Sequence, residues 1–439
     1  MRLDGGAGRC ILAFSQCPTS EHFASSRASD DHRSKPVQEV AMRVGRSNAF
    51  LCRCNAKPRR LVCEALDRRE LICGGGASLF AGLLAGLLGE TRPASAERLT
   101  GEVPELDRVA VRVLIDSYQF AVAPSRKVDG LDIQHFGWGI GNHPPSRTLV
   151  SEFGLSMHVE TQRGSEIRNT LIDFGFTPEA LNTNIELVGL NPGALDALVL
   201  SHGHYDHFGG LVGFLQRTSG KLKPKLPLYV GGEDCFCARE WTGPPARGDF
   251  GVLDRRALEK ADLVVTDSIG ASLVGDHGFT SGQISQSSFE TLLSPSAMKI
   301  GMDNGLGCSP ERLAEEDRRP GQVPDRFRHE LATAFNLKGR GLVVLTSCSH
   351  RGVINAIKQA QAVSGVVKVH AVIGGFHLAP YQPDYLRQTI AALREIDPTY
   401  VIPLHCTGEP FTDLAKAELP MKLVRAYTGT RLIFDSQRS

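Results

Sequence analysis

This chain of 439 residues carries little net charge: the formal balance is +1, with 22% of residues charged. No basic surplus points to a nucleic-acid partner, and no acidic tail points to a basic one. No internal repeat is strong enough to name, so the chain is not read as an array of units. The weakly apolar run 73–88 is short and is diluted by Gly74, Gly75, Gly76, Gly82 and Gly86. No stable membrane span is therefore expected in the mature chain. Cysteine is present but unevenly placed. Of 11 cysteines, Cys10, Cys17, Cys52, Cys54, Cys63 and Cys73 precede Ala96, leaving Cys235, Cys237, Cys308, Cys348 and Cys406. An odd remainder argues against a full disulfide framework. Cys235 and Cys237 are too close in sequence to pair easily with each other, and no second cysteine pair completes a zinc finger.

Residues 1–60 are rich in Ser, Arg and Cys without apolar periodicity, and read as disordered or as an upstream extension, with Met42 an alternative start. Residues 61–96 hold Arg68-Arg69, the glycine-diluted apolar run, and Ala94-Ser95-Ala96. That order reads as a twin-arginine export signal cleaved after Ala96, the alternative being a single membrane anchor. It predicts the twin-arginine export machinery as a partner and a periplasmic or exported mature protein. Without a working signal the location is cytoplasmic.

The most informative segment is Ser201-His202-Gly203-His204-Tyr205-Asp206-His207-Phe208-Gly209-Gly210. Three imidazoles and a carboxylate within six residues suit a divalent metal such as zinc, with iron or manganese as alternatives. The apolar residues 197–200 read as a buried strand, so the cluster sits on the loop leaving its carboxyl end. His202 and His204, alternating on an extended loop, can share one ion. Asp206 and His207, past the turn, can face a second. Gly209 and Gly210 are read as letting the backbone bend tightly. Further strands at 341–346, 369–373 and 399–404 each run into a histidine-bearing loop, carrying His350, His377 and His405. Independent surface histidines are the bland alternative.

The run H-x-H-x-D-H resembles the metal-binding signature of the metallo-β-lactamase superfamily. The words Cys348-Ser349-His350-Arg351-Gly352, Gly374-Gly375-Phe376-His377-Leu378 and His405-Cys406-Thr407-Gly408 resemble one branch of it. That branch includes dihydropterin–ribofuranosylaminobenzene phosphate synthase and many metal-dependent hydrolases. The resemblance spans residues 106–434 and implies an α/β fold, an αβ/βα four-layer sandwich over 97–439 with an irregular insertion around 268–337. It implies two divalent ions, one on His202, His204 and His350, the other on Asp206, His207 and His405. Asp206 and His377 are then the expected catalytic residues. Asp173, in Leu171-Ile172-Asp173-Phe174-Gly175, is expected either to orient the metal loop or to cap a turn. Two departures stand out. The loop between the third and last ligand histidines lacks the usual bridging Asp, and the nearest downstream carboxylate is Asp384. Phe153 replaces a histidine common in the branch.

Along the remaining chain, strands are expected at 109–115, 228–230, 263–265 and 289–293, and helices beginning at 211–216 and ending near Gly220, at 325–335 and at 385–394. The segment 310–328 reads as a solvated charged excursion. The loop 128–145, with His135, Phe136, Trp138 and His143, reads either as a pocket wall or as ordinary packing. Cys348 and Cys406 read as apolar filler beside ligand histidines. The function expected is metal-dependent hydrolysis of an ester, phosphoester or lactone-like small molecule. The alternatives are a transferase resembling the synthase and an exported metal-dependent binding protein for a small ligand. An open metal position separates catalysis from binding.

Overall fold

The strand Arg108–Ile115 shows how the layers arise. Val109, Val111 and Val113 turn to one face and Leu114 to the other, and all are buried. Gly341–Thr346 behaves likewise, with Val343 and Leu345 facing the first group while Leu342 and Val344 face away. A strand buried on both faces needs cover on both. Each fully buried aliphatic side chain contributes roughly 1.5–3 kcal/mol.

The structure is a computed structural model and describes residues 98–137, 146–293 and 295–437. The expected extension 1–60, the expected export signal 61–96, Trp138 and His143 lie outside those residues. A nine-stranded sheet runs in the order Val264–Asp267, Pro227–Val230, Ala197–Val199, Glu166–Ile172, Ser156–Arg163, Arg108–Ile115, Arg431–Asp435, Leu131–Gln134, Arg126–Val128. A seven-stranded sheet runs Leu273–Val274, Gly278–Thr280, Thr333–Leu337, Gly341–Thr346, Val369–Gly375, Tyr400–Leu404, with Glu105–Leu106 added beside Thr333–Leu337. The two sheets share a core that includes Met157, Val199, Phe335, Ile373, Ile402 and Phe434. The helices Pro178–Leu187, Leu211–Arg217 and Arg255–Lys260 pack on the outside of the first sheet. Val353–Ser364, Pro383–Ile396 and Glu409–Glu418 cover the second. This is the four-layer αβ/βα sandwich.

The stretch 268–337 contains ordered strands rather than irregular chain. Ser296–Asp303 pairs with Ala238–Trp241, Leu306–Cys308 and Gly321–Pro324 in a small sheet of its own. A disulfide between Cys237 and Cys308 ties this sheet together, a pairing across 71 residues that the sequence did not reveal. Three local expectations are corrected. Residues 325–335 form no helix: Phe327 takes a left-handed φ of 49°, and Thr333–Leu337 is a strand. Tertiary burial decides there, because Ala334 and Phe335 face opposite cores. Residues 289–293 form no strand, because Glu290 instead accepts hydrogen bonds from the Ile354 and Asn355 amides at the start of a helix. The segment 310–328 is not wholly solvated, since Asp317, Asp325 and Phe327 are buried. The helix Pro383–Ile396 matches its expectation and buries Leu386, Ile390 and Leu393.

Strand direction places the site. Glu166–Ile172, Ala197–Val199 and Pro227–Val230 are parallel, so Asp173 and the loop 201–210 leave the same edge. Gly341–Thr346, Val369–Gly375 and Tyr400–Leu404 are also parallel, so the loops bearing His350, His377 and His405 leave a common edge too. In α/β sheets, ligands gather outside the carboxyl ends of the strands.

Candidate metal centre

The loops converge. The rings of His202, His204 and His350 lie 4.9, 5.0 and 4.8 Å apart pairwise. Asp206 Oδ2 lies 3.2 Å from His405 Nε2 and 3.5 Å from His207 Nε2. The two trios touch, with the rings of His202 and His207 4.2 Å apart. All six residues are buried.

Their free atoms point to an occupant. His202 Nε2, Asp206 Oδ1, both ring nitrogens of His350 and Nδ1 of His405 are buried without a hydrogen-bond partner, while His405 Nε2 faces Asp206 Oδ2. Leaving one such group unsatisfied costs about 1–3 kcal/mol. A concentration of them is tolerable if a cation takes their lone pairs. Burial first, and the neighbouring imidazoles second, hold His202 and His350 well below the ordinary histidine range, and burial holds His204 to about 3. A neutral imidazole is the form that coordinates metal. For His207 burial works against the charged form, but Asp206 and Asp173 outweigh it and raise the ring to about 10. Burial likewise opposes ionisation of Asp206, yet His207 and His405 hold it well below the usual carboxylate range. Nitrogen and carboxylate donors in this number fit divalent ions.

Supporting residues aim the donors. Asp173 Oδ1 accepts the Ser201 amide at 2.7 Å. Its Oδ2 accepts the Ser201 hydroxyl at 2.7 Å and His207 Nδ1–H at 2.8 Å, which leaves His207 Nε2 as the donor. Both expected roles of Asp173, turn cap and loop orienter, are thus filled at once. Ser201 Oγ also meets His202 Nδ1 at 2.9 Å. His204 Nε2 meets Ser296 Oγ at 2.8 Å, and Ser296 donates to Asp325 at 3.4 Å. Asp325 in turn is held by Arg239 Nε at 2.8 Å. Glu330 accepts the His350 and Arg351 amides, each at 2.7 Å, and Asp116 accepts the His405 amide at 2.7 Å. Asp116, Arg239, Ser296, Asp325 and Glu330 carried no signal in the sequence, because their partners lie tens to hundreds of residues away.

Backbone strain gathers at the same edge. Asp173, Ser349, His377 and His405 have φ of 56°, 60°, 49° and 49°, a left-handed region costly for residues other than glycine. Gly209 and Gly210 are helical, so they do not serve to bend the chain. A Cβ on either would stand 2.2 Å from a carbonyl oxygen, of Phe176 and Phe174 respectively. They are needed for close approach.

The remaining expected residues fall as follows. His377 joins the cluster: its ring is 4.1 Å from that of His350, and its Nδ1 is buried without a partner. Asp384 is exposed in an ion pair with Arg387 and takes no part. His135 bonds Thr430 Oγ1 at 2.9 Å. Phe153 lies 4.8 Å from the His405 ring and is 58% exposed, an aromatic face at the rim. Phe327 stacks on His350 at 3.8 Å. Cys348 Sγ lies 3.2 Å from His207 Nε2 and 3.5 Å from Cys406 Sγ.

A profile of the metallo-beta-lactamase superfamily matches residues 164–288, which include the loop 201–210. The chain is 26% identical, over 289 residues, to the 7,8-dihydropterin-6-methyl-4-(beta-D-ribofuranosyl)-aminobenzene-5'-phosphate synthase of Methanocaldococcus jannaschii, covering 65% of this chain and 90% of that protein. An uncharacterised protein of the same archaeon is 25% identical over 288 residues, covering 64% and 94%. Among solved structures, a metal-dependent hydrolase of the beta-lactamase superfamily superposes with a TM-score of 0.51 at 21% identity, over 74% of this chain and 98% of that one. Fold, metal loop and relatives together show the metallo-β-lactamase fold and a resemblance to the branch of that synthase and related metal-dependent hydrolases.

Proposed function

We propose that the chain is a metal-dependent hydrolase of an ester, phosphoester or lactone-like small molecule. The observation that carries this reading is the set of buried imidazole and carboxylate atoms left without partners where the strand-end loops meet. His202, His204 and His350 would hold one divalent ion, and Asp206, His207 and His405 a second, zinc or else iron or manganese. Ions so held supply a water of lowered pKa and polarise the oxygen of the bond to be cut. The protein's own groups do the rest. Asp173 fixes the His207 ring, and Ser296 fixes that of His204. Asp206, with Oδ1 unpartnered, orients the attacking water. His377, with Nδ1 unpartnered beside His350, hands a proton to the leaving group. The exposed Phe153 ring offers an apolar wall beside His405. The test is metal analysis of the purified protein with an esterase, phosphodiesterase and lactonase screen, repeated on His202→Ala. The variant is expected to lose bound metal, and more activity than the roughly 10–100-fold typical of removing a supporting residue. Full metal occupancy and rate in the variant would refute the assignment.

A second reading is favoured by the relative named above: a synthase joining a dihydropterin to a ribofuranosylaminobenzene phosphate. Product formation from those two compounds, with no hydrolysis in the screen, selects it. We also propose export by the twin-arginine route, from Arg68-Arg69 and Ala94-Ser95-Ala96. Mass spectrometry of the periplasmic form should find an amino terminus at Glu97. An intact terminus in the cytoplasm refutes export and removes the main objection to the synthase reading.

A further inference from the structure

We infer that Cys348 is a metal ligand, its thiolate standing between the two ion positions as the bridging donor; this rests on the dinuclear reading above. The loop between the third and last ligand histidines has no carboxylate to offer, since it reads Gly374-Gly375-Phe376-His377 and Asp384 is turned to solvent. The structure offers a thiol instead. Cys348 Sγ groups within 4.8 Å with donor atoms of His202 and His350, separately with those of His207 and His405, and again with those of His377 and Cys406. It is the member common to all three groups, and no other described residue has that place in them.

The spacing, a sulfur–imidazole hydrogen bond as it stands, is close to that of two ligands on one ion. Zinc bonds of about 2.0–2.1 Å to nitrogen and about 2.3 Å to sulfur give a tetrahedral nitrogen–sulfur edge of about 3.6 Å. Cys348 Sγ and His207 Nε2 are 3.2 Å apart, near enough to close on one cation. The backbone is built to hold the thiol there. Ser349 takes a left-handed φ of 60° and donates its hydroxyl to Gly375 O at 2.8 Å. Gly375 leaves room for this: a Cβ there would stand 2.2 Å from Ser347 O and 2.8 Å from Cys406 Sγ. Cys406 lies behind, with its Sγ 3.5 Å from that of Cys348 and 3.6 Å from the Cys348 carbonyl oxygen. A cysteine that merely fills space looks different in this protein. Cys235 is packed in the apolar cluster with Phe236, Leu228 and Phe214.

On binding, the Cys348 S–H proton passes to solvent and sulfur lone pairs reach the ions. A thiolate makes the centre softer than the carboxylate-bridged form, which favours zinc over manganese or magnesium.

The test is cobalt substitution of the full chain, read by absorption. The difference spectrum between wild type and Cys348→Ser should show a sulfur-to-cobalt charge-transfer band in the near ultraviolet; taking the difference cancels the other cysteines. Cys406→Ser should keep the band. Cys348→Asp should keep the wild-type cobalt stoichiometry without the band, and it carries the comparison if Cys348→Ser does not fold. Superimposable wild-type and Cys348→Ser spectra, loss of the band in Cys406→Ser, or loss of an ion in Cys348→Asp each overturn the inference. In those cases the visible bands of bound cobalt still report an occupied centre, so the dinuclear reading stands. A wild-type chain that binds no cobalt overturns both.

Discussion

Four buried carboxylates, Asp116, Asp173, Asp325 and Glu330, each fasten one loop of the centre. Each is made tolerable by hydrogen bonds from amides, hydroxyls or a guanidinium, which offset the cost of burying charge. Their environments differ. Burial pushes Asp116 up to about 6 and raises Glu330, whereas at Asp325 burial is outweighed by Arg239, His329, His204 and the Phe327 amide together, which hold it at about 2. The histidines themselves were legible, because each follows an apolar strand. The carboxylates were not: Asp116 and the His405 amide are 289 residues apart. His377 marks the boundary between ligand and reactant. With six donors already assigned, His377→Ala should leave metal stoichiometry unchanged and lower kcat by about 10²–10⁴, the usual contribution of a general acid. Loss of one metal equivalent would make it a ligand, and unchanged kinetics would make it structural.

At the scale of elements, the strands that deliver ligands could be read from the sequence because they are apolar throughout, as a parallel strand covered on both faces must be. Helix Pro383–Ile396 could be read from its repeat of buried residues. The segment 325–335 could not, since its charged residues mimic an exposed helix face while Asp325 and Phe327 serve the centre. The small sheet around Ser296–Asp303 escaped for a related reason: it is built by pairing with the distant strand Ala238–Trp241. That sheet matters to the site, because Arg239 and Ser296 sit on it and steady His204. The disulfide Cys237–Cys308 closes a loop across 71 residues, for which chain-entropy arguments give a stabilisation of about 4 kcal/mol. Replacing both cysteines with alanine should lower the denaturation free energy by about that amount. Proteolysis should then cut first within the small sheet; an unchanged midpoint and cleavage pattern would contradict this.

For the whole molecule, pH acts through groups far from the metal. His158 is buried with Nε2 at 3.0 Å from Asn169 Oδ1, and burial lowers its pKa to about 4. The native state therefore resists a proton that the unfolded chain accepts near pH 6.5. Stability from this source is complete above about pH 6.5, falls as the pH drops towards 4, and changes no further below that. The loss is at most about 3 kcal/mol. Chelator-treated wild type and His158→Gln, unfolded with denaturant at pH 7 and pH 4.5, should differ in this slope, the variant being flatter; equal slopes would contradict it. The division of the donors between sheets reaches further. His202, His204, Asp206 and His207 leave one sheet, and His350 and His405 leave the other, so an ion held as proposed would clasp the two halves across their shared core. An ion that binds only the folded chain at a thousand times its Kd adds roughly 4 kcal/mol. How long the protein survives in its surroundings would thereby be coupled to how much metal those surroundings supply. Where metal is scarce, the same chain would open more often between its layers and be cleared sooner by proteases, before catalysis was ever in question.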